Sequence, residues 1–164
     1  MERKFIITGI ILILISIILG AFGAHSLKVL LENDPDVLKK ISSFETGVRY
    51  QMYSGLSFLI IGLNKEKFQF SLKPVFYCWL VGTIFFSVSI YFLTLQTILG
   101  VSLKFLGPIT PLGGLLLIIG WGLLLLKFLK QPKKNIQNQE SDINDSNLAP
   151  AQSNTQSQTP NTLE

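Results

Sequence analysis

The chain has one cysteine, Cys78, and one histidine, His25, in 164 residues. A lone thiol excludes an intrachain disulfide framework, and a lone imidazole excludes a multi-histidine metal site. Charge is also scarce: Asp, Glu, Lys and Arg make up 15% of the chain, where soluble domains carry about 25%. That is too little for an ordinary water-soluble surface, and 48% of the residues are hydrophobic. No nucleophile–base–acid set, metal cage or cofactor motif can be assembled from so few chemical groups, so no catalytic residue, cofactor or metal is expected. The basic residues flank apolar runs and do not gather on one face, so no nucleic-acid partner is expected either. The net charge of +4 conceals a contrast: residues 1–134 carry +8, whereas 135–164 carry −4 and have no Lys or Arg.

What is present is a set of long uncharged runs. Phe5 to Ala24 has twenty residues without an ionisable group, enough to cross a hydrocarbon core of about 30 Å. The run from Tyr50 to Leu63 is short, fourteen residues reaching only about 21 Å at about 1.5 Å each. A second span must therefore begin near Phe44. A third fits within Val75 to Leu95. In the fourth, Thr110-Pro111 reads as an N-cap with proline at the first helical position, which gives a span over 111–129. The expected fold is an all-α integral membrane bundle of four transmembrane helices (5–24, 44–64, 75–95, 111–129) with a disordered polar tail over 135–164. Nine Lys and Arg fall on the side of the termini and five on the other, so the positive-inside rule puts both termini in the cytoplasm. Arg3-Lys4, an apolar core and the small residues Ala21 and Gly23 also imitate a signal peptide, but the core is long for one, and an uncleaved first span is expected.

The short second run has a consequence. A helix starting near Phe44 holds Glu45 in its first turn and Arg49 about 7 Å deeper, inside the bilayer boundary. The two stand at i and i+4 with the acid N-terminal, the favourable order for a helical ion pair, and Tyr53 continues their face. On the third span Ser87, Tyr91 and Thr94 follow i, i+4, i+7 spacing. With His25 at the outer end of span one and Thr110 at the start of span four, these residues converge in the outer half of the bundle. Two readings stand side by side: interhelical hydrogen-bond glue, or a ligand site for an unknown small molecule. Gly20, Gly23 and Ala24 in span one, and Gly113 and Gly114 in span four, with Gly120 and Gly122 after them, are expected to pack helices closely. The loop from Ser26 to Ser43 reads as two short amphipathic segments broken at Pro35 and lying along the outer interface.

The segments Gly20-Ala21-Phe22-Gly23-Ala24-His25, Thr46-Gly47-Val48-Arg49-Tyr50-Gln51, Phe86-Ser87-Val88-Ser89-Ile90-Tyr91 and Gly107-Pro108-Ile109-Thr110-Pro111-Leu112-Gly113-Gly114, with Gly120-Trp121, occur in that order. They resemble the motifs of the YgdD-like family of small four-helix inner-membrane proteins, a domain of unknown function numbered four-two-three, over about residues 5–130. The resemblance implies a multi-pass protein of the cell (inner) membrane whose activity is uncharacterised. Two positions depart from the pattern: Ser54 stands where the family usually has histidine, and Val88 replaces a glycine. A mechanism needing two histidines is therefore not expected.

The leading functional expectation is a non-enzymatic membrane protein with a structural, assembly or small binding role, embedded in the lipid bilayer and forming a homo-oligomer. The alternative is a small transporter or channel built by oligomerisation. A third reading, a lipid-handling enzyme, would use His25 and Glu45 as acid and base and Arg49 to hold a phosphate.

Overall fold

The computed structural model describes residues 2–131; the expectation for the polar tail lies outside them. The described residues form four long helices and no strand: α1 (Glu2–Leu30), α2 (Val37–Leu63), α3 (Lys73–Leu99) and α4 (Ile109–Leu129). Helices satisfy every backbone hydrogen bond within one segment, which is what a hydrocarbon solvent demands. α1, α3 and α4 are long and apolar enough to cross a membrane. α2 has the length, 27 residues or about 40 Å, but carries more polar groups than the others.

The helices differ from the sequence reading both at their ends and within α3. α2 begins at Val37, two turns before Phe44, because Pro35 breaks the chain only once. The two segments expected along the interface are instead the last turns of α1 and the first turns of α2. α4 begins at Ile109 with Pro108 at its cap, so Thr110 does not cap it and Pro111 sits inside the first turn, where its missing N–H is tolerated. α3 contains a π-turn over Ile84–Val88. The Ser89 hydroxyl donates to the Phe86 carbonyl at 3.0 Å and also reaches Phe85 O, occupying carbonyls that the wide turn leaves underused. α3 ends at Gly100, whose φ of +66° is the left-handed cap that glycine adopts without strain.

Two tight pairs make up the bundle. α1 meets α2 through glycine: a Cβ added to Gly9 would lie 2.8 Å from Gly55 O, and one added to Gly55 would lie 2.8 Å from Ile13 Cγ1. α3 meets α4 likewise, with a Cβ on Gly113 falling 2.8 Å from Phe85 C and one on Gly120 falling 2.6 Å from Trp79 Nε1. In lipid, where burial of apolar surface gives no drive between helices, such close approach supplies the association through van der Waals contact. The expected small residues are only partly the ones used. Gly23 and Gly113 are buried at contacts, Gly20 and Gly114 sit at ordinary van der Waals distance from Val48 and Phe86, Ala24 is exposed, and Gly122 has nothing within 4 Å.

The pairs join along α2 and α3. Toward the termini, Phe5, Phe58, Phe76 and Trp79 form an aromatic core with ring centroids 4.9–5.7 Å apart. At the opposite, distal end Leu27, Leu31, Ile41, Phe44 and Tyr91 form a second cluster. Between them lies a waist of small and polar residues. There Ser16 Oγ donates to Val48 O (3.3 Å), Gln51 Nε2 to Leu12 O (3.1 Å) and Ser87 Oγ to Gly47 O (2.9 Å).

Each end is also fastened. At the distal end Lys40 forms an ion pair with Asp34 and donates to Thr97 Oγ1 (2.6 Å), tying the α1–α2 loop to the end of α3. The Lys40 ammonium, and then the Asp36 N–H, hold the Asp34 carboxyl below its ordinary value of 3.8. A depressed folded-state value contributes stability above the unfolded value and loses it as pH falls through the folded one. The Asp34→Asn variant should therefore melt below the wild type at neutral pH, with the gap closing below about pH 4. Melting curves of both proteins in detergent between pH 3 and 7 check this, and a gap that does not depend on pH would contradict it. At the other end Lys127 donates to Ser71 O (2.6 Å) beneath the Phe70 ring, and Gln131 Nε2 donates to Lys67 O (2.9 Å).

Candidate functional site: a groove between α2 and α4

The polar residues expected to converge separate into distinct sets. Ser87, Tyr91 and Thr94 all turn toward α2, where Tyr91 Oη donates to Gln51 Oε1 (3.0 Å, buried) and Thr94 Oγ1 to Lys40 O (3.5 Å). This stripe joins helices. Thr110 ties α4 to α3 by sharing a hydrogen with Ser89 Oγ (2.6 Å). His25 is exposed and makes no hydrogen bond among the described residues, so the cluster does not include it.

The Glu45–Arg49 ion pair does not form. Arg49 Nη2 donates to Thr46 Oγ1 (3.3 Å), and Thr46 in turn donates to Ser42 O (2.9 Å). A helical side chain leans toward the helix N-terminus, so the guanidinium climbs one turn. It swings to the Thr46 side, which leaves Glu45 on the other flank. Depth also differs from expectation. The bonds from Ser16 and Ser87 to the carbonyls of Val48 and Gly47 put Arg49 at the level of the middle of α1 and α3, deeper than an interfacial residue. A charge at such a depth costs about 2.5–3.5 kcal/mol on insertion scales. Glu45, Val48 and Arg49 face a small recess of about 210 Å³ beside Gly20 and Gly23 of α1.

The larger concavities lie on the other flank of α2. α2 and α4 stand on either side of α3, whose surface floors a groove. Its distal part is a cavity of about 430 Å³ lined by Lys39, Lys40, Thr46, Thr94, Gln96 and Thr110. One helical turn nearer the termini is a second cavity of about 510 Å³, lined by Tyr50, Tyr53, Ser57, Trp79, Phe86 and Trp121. The stacking follows from the numbering: Thr46, Ile90 and Thr110 line the first, while Tyr50, Phe86 and Gly114, four residues along each helix, line the second. The Tyr50 and Phe86 rings, with centroids 4.8 Å apart, mark the border. Trp79 is 1% exposed and its indole N–H has no hydrogen-bond partner among the described residues.

Of the expected site residues, Thr94 and Thr110 line the distal cavity and Tyr53 the deeper one. Sequence reasoning gave no bonding role to Gln51, Ser16, Lys40 or Thr46, although Thr46 and Gln51 lie within one of the ordered motifs. Gln51 had a visible signal, being an amide within the uncharged run from Tyr50 to Leu63, where a polar group needs a partner.

Comparison with known proteins places the chain among membrane proteins. Residues 19–114 match the family model described as "Protein of unknown function (DUF423)". The chain is 39% identical over 128 residues to UPF0382 membrane protein SH2409 of Staphylococcus haemolyticus, covering 78% of this chain and 97% of that one. It is 36% identical over 130 residues to UPF0382 membrane protein YwdK of Bacillus subtilis, covering 78% of this chain and 98% of that protein. No solved structure matches. The matched segment begins just before Gly20 and ends at Gly114, taking in the Gly20, Arg49 and Ser87 motifs, and the chain belongs to the DUF423 family of membrane proteins of unknown function.

Proposed function

We propose that the protein is a non-enzymatic binding module of the cell membrane that holds a single-chain amphiphile in the groove between α2 and α4. The observation that carries this reading is that a cavity edged by Asp36, Lys39, Gln96 and Thr110 lies one helical turn from an aromatic-lined cavity between the same helices. Ligand sites are mostly apolar concavities with a few polar groups that set orientation. Here Lys39, Thr94, Gln96 and Thr110 offer charge and hydrogen bonds at the distal end, where a polar head resides. The Tyr, Phe and Trp side chains below offer the apolar walls that an alkyl or isoprenoid chain fills. The bias of Lys and Arg toward the termini supports a cytoplasmic location for both ends in this reading.

Gly114 provides the test, because a Cβ there meets only the Phe86 ring, at 3.6 Å. A larger side chain at this position projects into the deeper cavity without separating helices. Thermal melting of the purified protein in detergent, titrated with lysophospholipids and fatty acids of one chain length, should show saturable stabilisation that depends on the head group. Gly114→Phe should weaken apparent binding at least tenfold, equivalent to about 1.4 kcal/mol, while melting normally without ligand. Equal, unsaturable shifts in both proteins for every head group would overturn the proposal.

A further inference from the structure

The outward face of α2 is charged at the depth where lipid tails would surround it. Ser42, Glu45, Arg49, Tyr53, Leu56 and Ile60, spaced by threes and fours, form one stripe along the helix, and all six are exposed. Tyr53 is 58% and Ile60 60% exposed. Neither α1 nor α3 buries the stripe: α1 contacts the flank bearing Val48 and Gly55, leaving Glu45 and Arg49 at the rim of the recess beside Gly20 and Gly23, and α3 contacts the flank bearing Gly47 and Gln51. Exposed apolar residues on the other helices suit lipid and need no partner. An exposed arginine and glutamate at mid-bundle do.

We infer that this stripe is a self-association surface, and that a second copy of the chain covers it with the two α2 helices side by side and parallel. Charge complementarity selects that partner. Glu45 and Arg49 sit one turn apart and are not paired with each other; across a two-fold axis along the membrane normal, Arg49 of one copy meets Glu45 of its partner, and the reverse. Two reciprocal ion pairs result. The lean of the Arg49 side chain toward the N-terminus of α2 already brings its guanidinium to the height of Glu45. Spacing by threes and fours is also the pattern with which parallel helices interlock, and Leu56 and Ile60 extend the seam with apolar contacts on the side nearer the termini. The inference stands apart from the amphiphile reading, since of the stripe only Tyr53 also borders the groove, and the charged pair and the Leu56–Ile60 seam do not.

Disulfide trapping of the full-length protein in native membrane vesicles tests it. In a Cys78→Ala background, Leu56→Cys should give at least tenfold more cross-linked dimer on oxidation than Ile17→Cys, which is 58% exposed on α1. Adding Glu45→Arg, or adding Arg49→Glu, should each lower the Leu56→Cys dimer severalfold, because each sets like charges against one another. Coexpressing those two chains should restore it. Should either charge reversal fail to accumulate, Glu45→Gln takes its place and should still lower the yield. Equal trapping at Leu56→Cys and Ile17→Cys, yields unaffected by the charge changes, or capture of a chain of different mass would overturn the inference.

Discussion

Replacing Gly113 by leucine is expected to destroy the α3–α4 pair. The first atom added is already impossible: a Cβ at this position falls 2.8 Å from Phe85 C and 2.9 Å from Gly82 O, and closest of all to Phe86 N. These are backbone atoms, so no rotamer change relieves the contact. The helices must move apart, and the reciprocal fit of Gly82 against Leu117 N and Gly113 O is lost with them. Overpacking a well-filled core costs about 1–3 kcal/mol when side chains can adjust; with backbone on the receiving side the loss should reach about 3 kcal/mol or more. The measurement is the fraction of protein recovered as a monodisperse peak in detergent and the midpoint of its thermal transition. Gly122→Leu is the control, since nothing lies within 4 Å of its Cβ position, and it should behave as wild type. If both variants behave alike, α3 and α4 are not held by this contact.

The second large effect is expected at Gln51. One amide joins three helices there, with its Nε2 donating to Leu12 O on α1 and its Oε1 accepting from Tyr91 on α3. Gln51→Leu removes both bonds and strands the Tyr91 hydroxyl in a buried site. Interhelical hydrogen bonds in membranes average about 0.6 kcal/mol each, while leaving a buried group unsatisfied costs about 1–3 kcal/mol. The combined loss should be about 2–3 kcal/mol. Tyr91→Phe alone should cost less, and the double variant should be little worse than Gln51→Leu by itself, because the shared bond can be lost only once. Strict additivity in melting experiments would show that the two side chains act separately.

Much of this architecture could be read from the chain. The uncharged runs set the helices and their number, since hydrocarbon admits few alternatives, and the i, i+4, i+7 spacing of Ser87, Tyr91 and Thr94 marked one face that does meet a neighbouring helix. The glycines were harder. Gly20 and Ala24 have the spacing of a packing motif but contribute little, whereas Gly9 and Gly55, neither of which has a small residue four positions away, bring the backbones of α1 and α2 together. Which glycine is used depends on the rotation of its helix against a partner, and spacing within one helix carries no information about that rotation. The Glu45–Arg49 pairing failed for a related reason. The i, i+4 rule describes an isolated helix, and it did not weigh the competing hydroxyl of Thr46 one turn away. The groove between α2 and α4 was invisible, because it arises from three helices at once.

The wide turn in α3 bears on how chains of this kind should be aligned. A π-turn is one residue more than an α-helix needs to cover the same rise, so it behaves as an insertion placed inside a helix. Everything after Val88 is thereby set back by about 100°, the angular step of one residue, and that offset returns Tyr91 and Thr94 to the side on which Phe76 and Trp79 already meet α2 before the turn. A relative with an unbroken third helix would keep that alignment only by losing a residue between positions 84 and 88. A single-residue gap there belongs to the architecture, even though gaps are ordinarily moved into loops.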